Sequence, residues 1–404
     1  MIEIEKLPEG WKKVNLGDKN YFRIVGSGID YFKGTKNYLS TNSIQRTNIV
    51  HIEEVITFAN RPSRANMQPK SGRLAFAKMR NTIKVLLIDK RLEKDYILST
   101  GFTLLETQIE PRFIYQFLLS SFFNKQKDIL AEGTTQEAIS NDDFEKIYII
   151  FPESKEEQQK IAEILETIDN AIEKTDKIIE KYKRIKQGLM QDLLIKGIDE
   201  NGQIRSEKTH KFKDSPLGRI PEEWEVVELG EIFKLKSGTP KPTDTSRFGK
   251  YPVYGGNGVL GYSNYKNFDR DTIIIGRVGE YCGSVYVATE GWVTDNALYV
   301  AEKKVTFLDL FLLHLLEYIN LNKYSAETGQ PLMTQSIIYD IKIPFPPLSE
   351  QMRISSILSQ IDETIEKEQN YKQKLEKIKQ GLMEDLLTGK VRVNCLIKEI
   401  YEQG

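Results

Sequence analysis

A duplication of two sequence blocks limits how this chain can fold more than any other feature. Leu7-Pro8-Glu9-Gly10-Trp11 returns 213 residues later as Ile220-Pro221-Glu222-Glu223-Trp224. A longer block that starts at Phe151-Pro152 returns at Phe345-Pro346, and from residue 157 to 194 the shift is a constant 193 residues. Repeats of this kind indicate a duplicated architecture. The intervening segments, about 12–150 and 225–344, differ in length, so we expect one frame that holds two different inserts.

The longer block predicts one long helix in each half. Its apolar residues recur at alternating steps of three and four, with a single step of seven across Lys186, which is the pattern of a coiled-coil seam. Ser154 and Glu157 can form a capping box where the first helix begins, and Gly197 and Gly389 stand where the two helices end.

A helix of this length with one apolar stripe needs a partner. We therefore predict that the two helices pair as an antiparallel coiled coil, with the two halves related by a pseudo-twofold axis. The predicted seam and partner interface consists of Ile161, Leu165, Ile168, Ile172, Leu189, Leu193, Ile354, Leu358, Ile361, Ile365, Leu382 and Leu386.

The segments between the blocks predict compact α+β domains. Short β-branched runs at 82–88, 271–275 and 284–287 are separated by turn residues. The predicted fold class is α+β, with two globular domains joined by the two helices. The expected divisions are a first domain, a first helix, an exposed polar connector, a second domain, a second helix and a tail, at residues 1–150, 151–197, 198–219, 220–344, 345–393 and 394–404.

Composition excludes several classes of protein. Lys plus Arg (57) nearly balance Asp plus Glu (58), so net charge cannot drive binding to nucleic acid or to an anionic membrane. Cys282 and Cys395 are too few for a disulfide framework or a four-thiolate zinc site. No apolar run approaches the roughly 18 residues of a membrane span. We expect a cytoplasmic protein.

Motifs for catalysis are absent from the sequence. It contains no Walker A motif, no Asp/Asn-Pro-Pro-Tyr/Phe methyl-transfer motif and no His-Glu-x-x-His, and its three histidines lack ligand spacing. Gly256-Asn257-Gly258-Val259-Leu260-Gly261 matches the dinucleotide fingerprint Gly-x-Gly-x-x-Gly, but turn residues follow it where a helix is required. We therefore expect no enzyme activity, no cofactor and no metal.

Local charge points to nucleic acid. Residues 61–91 carry nine basic side chains against one acidic, and residues 234–250 carry five against one. Interleaved Asn and Gln suit base contacts, because Arg and Lys pair with guanine while Asn and Gln pair with adenine. A solvated charged face explains either stretch alone, but the recurrence of this bias in both halves favours DNA.

These residues together resemble the specificity subunit of type I restriction-modification systems. The resemblance rests on the duplicated Pro-Glu-x-Trp entry, on the duplicated helix that ends in Lys-Gln-Gly-Leu-Met-x-Asp-Leu-Leu, and on the connector at 208–218. It implies that each domain reads one half of a bipartite DNA site and that the coiled coil sets the spacer between the halves. It also implies that the helices dock two adenine-methylating modification subunits, to which restriction subunits can add.

The resemblance also places the DNA contacts. The segment 74–80 matches 275–279, and 99–102 matches 294–297, so Lys78 and Arg277 are equivalent candidates. Where 38–42 diverges from 254–258, we expect the two half-sites to differ. The full candidate set is Arg61, Arg64, Lys78, Arg80, Asn81, Thr134, Thr135, Gln136, Lys241, Asn257, Arg277 and Gln330.

Two other functions remain open at this point. The chain could be a duplicated coiled-coil scaffold that binds proteins only, although the basic loops rich in Asn and Gln in both halves count against this. It could be a nuclease or methyltransferase in its own right, which the missing motifs disfavour.

Overall fold

The computed structural model describes residues 7–131, 137–325 and 330–397 and falls into two compact units. The first unit combines Met1–Thr175 with Tyr371–Gly404, and the second is Asp176–Asn370. Each unit therefore contains a mixed α and β region together with a part of each long helix. The division into six segments along the chain remains a prediction.

The elements of the first half are short strands and helices followed by one long helix. The strands are β1 (Trp11–Asn15), β2 (Phe22–Val25), β3 (Thr35–Leu39), β4 (Ile44–Gln45), β5 (Asn48–Ile49), β6 (Glu54–Thr57), β7 (Ala65–Met67), β8 (Leu74–Ala77), β9 (Val85–Leu87), β10 (Tyr96–Ser99), β11 (Phe102–Thr107) and β12 (Tyr148–Pro152). The helices are α1 (Lys90–Asp95), α2 (Pro111–Leu119), α3 (Ser121–Leu130), α4 (Asn141–Phe144) and α5 (Lys155–Ile195).

The second half follows the same scheme. Its strands are β13 (Phe212–Ser215), β14 (Gly218–Pro221), β15 (Glu225–Glu228), β16 (Phe233–Ser237), β17 (Tyr251–Gly255), β18 (Gly258–Ser263), β19 (Thr272–Gly276), β20 (Val285–Ala288), β21 (Trp292–Val293), β22 (Ala297–Lys303) and β23 (Lys342–Phe345). Its helices are α6 (Leu229–Ile232), α7 (Asp309–Ile319), α8 (Gln335–Tyr339) and α9 (Leu348–Leu386), with 3-10 turns at Gly279–Tyr281 and Leu321–Tyr324.

The two inserts share the strand order of one four-stranded sheet and a parallel strand pair, while the sheet that contains this pair has four strands in the first insert and three in the second. The first has a four-stranded sheet in the order β2-β11-β8-β9, and the second has β16-β22-β19-β20. Beside these sheets, β10 pairs parallel with β3, and β21 pairs parallel with β17. The strand after the entry motif pairs with the strand before the long helix in both halves, as β1 with β12 and β15 with β23. The duplication therefore extends into the segments whose sequences differ.

Central strands and an amphipathic helix form each core. In the first domain β8 and β11 are buried through most of their length, and Phe113 and Phe117 on one face of α2 pack into the same core as Phe76. In the second domain Phe311 and Leu315 of α7 pack with Ile273 of β19. The predicted strands at 82–88, 271–275 and 284–287 correspond to β9, β19 and β20.

The long helices meet in opposite directions within each unit. In the first unit Ile161 and Leu165, near the start of α5, share a core with Leu386, near the end of α9. In the second unit Leu193, near the end of α5, shares a core with Ile354, near the start of α9. The antiparallel pairing is therefore confirmed. All twelve residues of the predicted seam are buried or half-buried.

The helix ends follow the predicted signals, with one exception. Gly197 and Gly389 have positive φ angles of 71° and 74° just beyond the helix ends, where glycine is favoured. The Ser154 hydroxyl accepts a hydrogen bond from the Glu157 amide at 3.2 Å, which is half of the predicted capping box. The Glu157 carboxylate does not complete the box, because it forms a two-pronged ion pair with Arg392 at 2.7 and 2.8 Å.

The repeated Glu-Gln pair anchors the start of each long helix. In the first unit the Gln158 side chain donates to the Pro152 carbonyl at 2.8 Å and accepts from the Glu110 amide at 2.9 Å. Gln351 makes the two equivalent bonds in the second unit, at 2.9 and 3.0 Å. Buried amide groups need such partners, which explains why glutamine stands at this position in both repeats.

The adjacent glutamate holds an arginine in each unit. Glu350 is buried, accepts a hydrogen bond from Trp224 Nε1 at 2.9 Å and pairs with Arg205. This corrects the prediction of an exposed connector at one position, because Arg205 lies in that stretch and is buried. The connector also carries a hairpin, β13 with β14. The ion pair with Glu350 holds Arg205 out of solvent, although the surrounding stretch is polar.

Within the described residues, no helix combines the length and the apolar character needed to cross a membrane.

Candidate nucleic-acid interface

Two backbone hydrogen bonds hold Lys78 at the end of a buried strand. Its amide donates to the Gly101 carbonyl at 3.0 Å, and its carbonyl accepts from the Ile139 amide at 3.1 Å. The side chain is half-buried, and burial lowers the pKa of its ammonium group. Lys78 therefore joins three separate segments at one point of the first domain.

The same two bonds hold Arg277 in the second domain. Its amide donates to the Asn296 carbonyl at 2.9 Å, and its carbonyl accepts from the Met333 amide at 2.8 Å. Its guanidinium Nε is buried without a hydrogen-bond partner in the described part of the chain. A buried charged donor of this kind calls for a further acceptor. Lys78 and Arg277 are therefore structural counterparts, as the sequence alignment of the halves predicted.

A tight turn next to Lys78 presents Asn81. Asn81 is exposed, has a φ of 55°, and its amide donates to the Asp128 carboxylate at 3.0 Å. The Lys127 ammonium is almost fully buried and donates to the carbonyls of Met79, at 3.1 Å, and Thr82. Burial lowers the pKa of Lys127, although Asp128 opposes this effect. These bonds brace the turn from the interior side.

Sequence reasoning missed Lys127 as a positioning residue. The signal was present, because Lys127 follows Phe123 by four residues on the apolar side of α3, where the helical period calls for an apolar side chain. A lysine in such a position needs several acceptors to be stable. The turn carbonyls of Met79 and Thr82 supply them.

Arg64 contacts the turn at Thr100 and Gly101, to which Lys78 is also bonded. Its carbonyl accepts from the Thr100 amide at 2.9 Å, and its guanidinium lies 3.9 Å from the point where a Cβ on Gly101 would stand. The Lys84 ammonium donates to the Thr41 carbonyl at 2.7 Å, and the Thr41 methyl group approaches the same Cβ position to 2.9 Å. The absence of a side chain at Gly101 thus leaves room for Arg64 and Thr41 to lie close to its backbone.

Several basic residues of the 61–91 stretch are engaged in contacts within the protein. Arg73 is held by Glu106, with contacts of 2.6 and 2.9 Å, and only 13% of its side chain is exposed. Arg61 lies over the Phe58 ring at 4.4 Å and donates to the Phe58 carbonyl. Arg80 is half-buried, and its amide donates to the Glu137 carbonyl at 2.8 Å. The charge surplus of this stretch therefore overstates the free positive surface.

The segments that carry Asn257, Arg277 and Gln330 lie close together in the second domain. Asn257 is exposed in the turn between β17 and β18, so the formal dinucleotide fingerprint is a hairpin rather than a strand followed by a helix. A Cβ on the neighbouring Gly256 would lie 3.5 Å from the Asn296 carbonyl oxygen, the group that accepts from the Arg277 amide. Gln330 is exposed, and its Nε2 is 3.2 Å from the corresponding point on Gly279.

Lys241 lies elsewhere in the second domain. With Arg247 it lines an open hollow of about 420 Å³ whose apolar side consists of Val259, Leu260 and Tyr262. Arg247 belongs to the basic stretch at 234–250, and its exposed position in the same hollow as Lys241 makes it a further candidate. Lys241 itself is exposed.

Three candidates, Thr134, Thr135 and Gln136, lie outside the described residues, as do the four residues before Gln330. The residues that follow in each domain are described. Ala138 forms a β-bridge with Met79, and Leu332 forms one with Val278. The described residues Ala138 and Leu332 therefore lie beside the strand ends that carry Lys78 and Arg277.

Neither domain offers a metal site within the described residues, where no group of three or more His, Cys, Asp or Glu side chains is arranged to hold an ion. The candidate residues described in the two domains are cationic and amide side chains, held on β-strands and on the turns beside them. Such groups suit phosphate oxygens and base edges.

Comparison with known proteins gives a consistent result. A family model described as the type I restriction modification DNA specificity domain matches residues 8–183 and again residues 221–377. A putative type I restriction enzyme MjaX specificity subunit from Methanocaldococcus jannaschii is 29% identical over 97% of this chain and 96% of that protein. The MjaVIII specificity subunit from the same organism is 30% identical over 70% of each.

Solved structures share the fold. The crystal structure of a type I restriction-modification S subunit from M. genitalium superposes with a TM-score of 0.61 at 18% identity, covering 94% of this chain and 97% of that one.

Proposed function

The chain belongs to the family of type I restriction-modification specificity subunits, and from this premise we propose that its two domains each read one half of an asymmetric, bipartite DNA target. The observation that carries the proposal is the equivalent placement of Lys78 and Arg277 by the same two backbone bonds. A duplicated frame that presents one cation per domain, amid different neighbours, suits two half-sites of different sequence.

We propose further that the paired helices set the spacer and that modification subunits, two per chain, dock on them and supply adenine methylation. The seam side chains are buried or half-buried, so a partner would meet the outer helix faces instead. Ile178, Ile185, Met352 and Ile378 are exposed there and offer apolar contacts. The chain itself would be non-catalytic and would depend on its partners for both methylation and restriction.

Paired substitutions test the division of labour between the domains. Lys78→Gln should weaken methylation that depends on the first half-sequence, and Arg277→Gln methylation that depends on the second, each by roughly ten-fold, since one base or phosphate contact contributes about 1–3 kcal/mol. Lys94→Gln, an exposed lysine on α1, is the matched control and should leave methylation unchanged.

The measurement is a genome-wide map of methylated adenine in cells that carry each variant, with the gene deletion as reference. Loss of one two-part motif on deletion, with half-specific defects in the variants, would support the proposal. If deletion leaves the map unchanged while the partners are expressed, the chain is a protein-only scaffold. Equal defects at both half-sequences for either variant would contradict the assignment of one domain to one half-site.

A further inference from the structure

Lysine occupies a seam position in each long helix. Lys186 accounts for the step of seven in the apolar pattern of α5, and Lys379 stands 193 residues later in α9. Only 18% of the Lys186 side chain and 7% of the Lys379 side chain are exposed. A lysine withdrawn from water in this way is destabilising unless an anion lies beside it.

In the first unit the anion is Asp169 of α5. Lys379 pairs with one of its carboxylate oxygens, and Gln116 Nε2 of α2 donates to the other at 2.9 Å. Gln116 is itself fully buried. The pair therefore sits where both long helices meet the helix of the first domain.

In the second unit the helices exchange roles. Lys186 of α5 lies 2.7 Å from the Asp362 carboxylate of α9 and 3.2 Å from Glu317 of α7. Burial by itself lowers the pKa of Lys186, but the two carboxylates outweigh this effect and raise it. His314 of α7 takes the place of Gln116, with its Nδ1 3.8 Å from Asp362 and 3.7 Å from Glu317.

The order of charges along each helix distinguishes the possible pairings. Both helices carry aspartate first and lysine 17 residues later, at 169 and 186 in α5 and at 362 and 379 in α9. In the antiparallel arrangement each aspartate meets a lysine. A parallel pairing in matched register would place like charges together.

A slip of one heptad would also be detected by these charges. Such a slip keeps apolar residues in the seam but moves each lysine about 10 Å from its aspartate, because the helix rises 1.5 Å per residue. The apolar contacts alone distinguish poorly between these registers. Buried polar groups in coiled coils are known to specify register and orientation.

We propose that the two lysine–aspartate pairs select the direction and the register in which the long helices pair. They act as positioning residues, since none of them is among the candidate DNA contacts. The consequence for the DNA spacer rests on the proposed function, whereas the consequence for helix pairing does not.

Charge reversal on one helix tests the proposal. The first variant, Asp169→Lys with Lys186→Asp, reverses α5 alone and creates like-charge contacts at both pairs. The second adds Asp362→Lys and Lys379→Asp, which restores opposite charges. The control, Glu163→Lys with Lys183→Glu, reverses two exposed charges on α5 whose side chains are 61% and 52% exposed. All three variants keep the net charge of the chain.

Thermal unfolding of the full chain is the first readout. We expect the variant reversed in α5 alone to lose on the order of 10 °C in Tm, because broken buried pairs are costly. The control should stay within about 2 °C of the unsubstituted chain, and the fourfold variant should recover most of the loss. An α5 reversal as stable as the control, or a fourfold variant as unstable as the α5 reversal, would overturn the proposal.

The spacer of the methylated motif is the second readout, and a purely stabilising ion pair would not shift it. The fourfold variant should direct methylation at the original spacer, and the α5 reversal should lose methylation or change the spacer with both half-sequences kept. An unchanged spacer at full methylation in the α5 reversal would contradict a role in register. If even the unsubstituted chain directs no methylation, the proposed function fails, while recovery of Tm in the fourfold variant still supports the helix pairing.

Discussion

Two tryptophans that occupy the same place in the repeat have different surroundings. Trp224 Nε1 donates to the buried Glu350 carboxylate at 2.9 Å. Trp11 Nε1 is buried too but has no hydrogen-bond partner among the described residues, and its ring faces Arg392 at 5.9 Å instead. Both rings belong to apolar cores. In both copies of the repeat the tryptophan ring packs in an apolar core, but the polar contact of its Nε1 differs.

This difference predicts unequal effects of one substitution. Trp224→Phe should lower the free energy of unfolding by about 1.5–3 kcal/mol more than Trp11→Phe, because only the first change removes a hydrogen bond to a buried charge. The two substitutions delete the same atoms, so Trp11→Phe controls for the lost ring volume. Urea unfolding followed by circular dichroism measures the difference. Equal losses would mean that the bond to Glu350 contributes nothing net.

At the scale of elements, glycine has opposite roles within and beyond the first long helix. Gly188 is helical, and a Cβ added there would meet nothing within 4 Å. Gly197 ends the helix with a φ of 71°, and a Cβ there would come within 2.6–2.7 Å of Trp224 and Arg205 and even closer to Glu350. One glycine is therefore dispensable for packing and the other is required by the buried ion pair.

Alanine substitutions separate these roles. Gly188→Ala should raise stability by about 0.5–1 kcal/mol, because alanine restricts the unfolded chain and favours helix. Gly197→Ala should lower it by more than about 1 kcal/mol, because the added methyl group meets both backbone strain and the Glu350 cluster. Thermal melts of the full chain record both changes. A stabilising Gly197→Ala would show that this close packing relaxes without cost.

At the scale of the whole molecule, the two compact units divide each long helix once, between Thr175 and Asp176 and between Asn370 and Tyr371. The charge pairs of the seam lie on either side of these boundaries, one in each unit. Residues inserted at the boundaries would leave the contacts within each unit unchanged. The boundaries are therefore the places at which the proposed spacing function can be changed alone.

Insertion of one heptad at both boundaries should lengthen the DNA spacer. Seven residues add about 10 Å of helix, which corresponds to about three base pairs at 3.4 Å each. Both half-sequences should remain the same, because the recognition domains are untouched. Adenine methylation mapping reads out the spacer directly. A heptad inserted in α5 alone is the control and should abolish methylation, because the two helices then differ in length and the two lysine–aspartate pairs can no longer form together. A change of half-sequence would refute the separation of spacing from reading.

Local and periodic features of the fold were predictable. The apolar steps of the seam, the glycines that end the helices and the three β-branched strands depend on neighbours a few residues away, and the structure contains them. The matched positions of Lys78 and Arg277 were predictable too, because duplication placed the same backbone frame around each. Only half of the capping box predicted at Ser154 is present, because the Glu157 carboxylate pairs with Arg392, which is distant in the sequence.

The sequence by itself determined the duplicated frame, the direction of the helix pairing and the strand ends that carry the candidate cations, because each is encoded in spacing along the chain. Only the tertiary structure decided which charges are free. Arg73 is taken by Glu106, Arg205 is buried against Glu350, and Lys127 braces a turn from inside. These assignments join residues 33, 145 and 48 positions apart. The partner of a charged side chain over such separations depends on how the domains fold, since electrostatic pairing requires contact in space and leaves no period in the sequence.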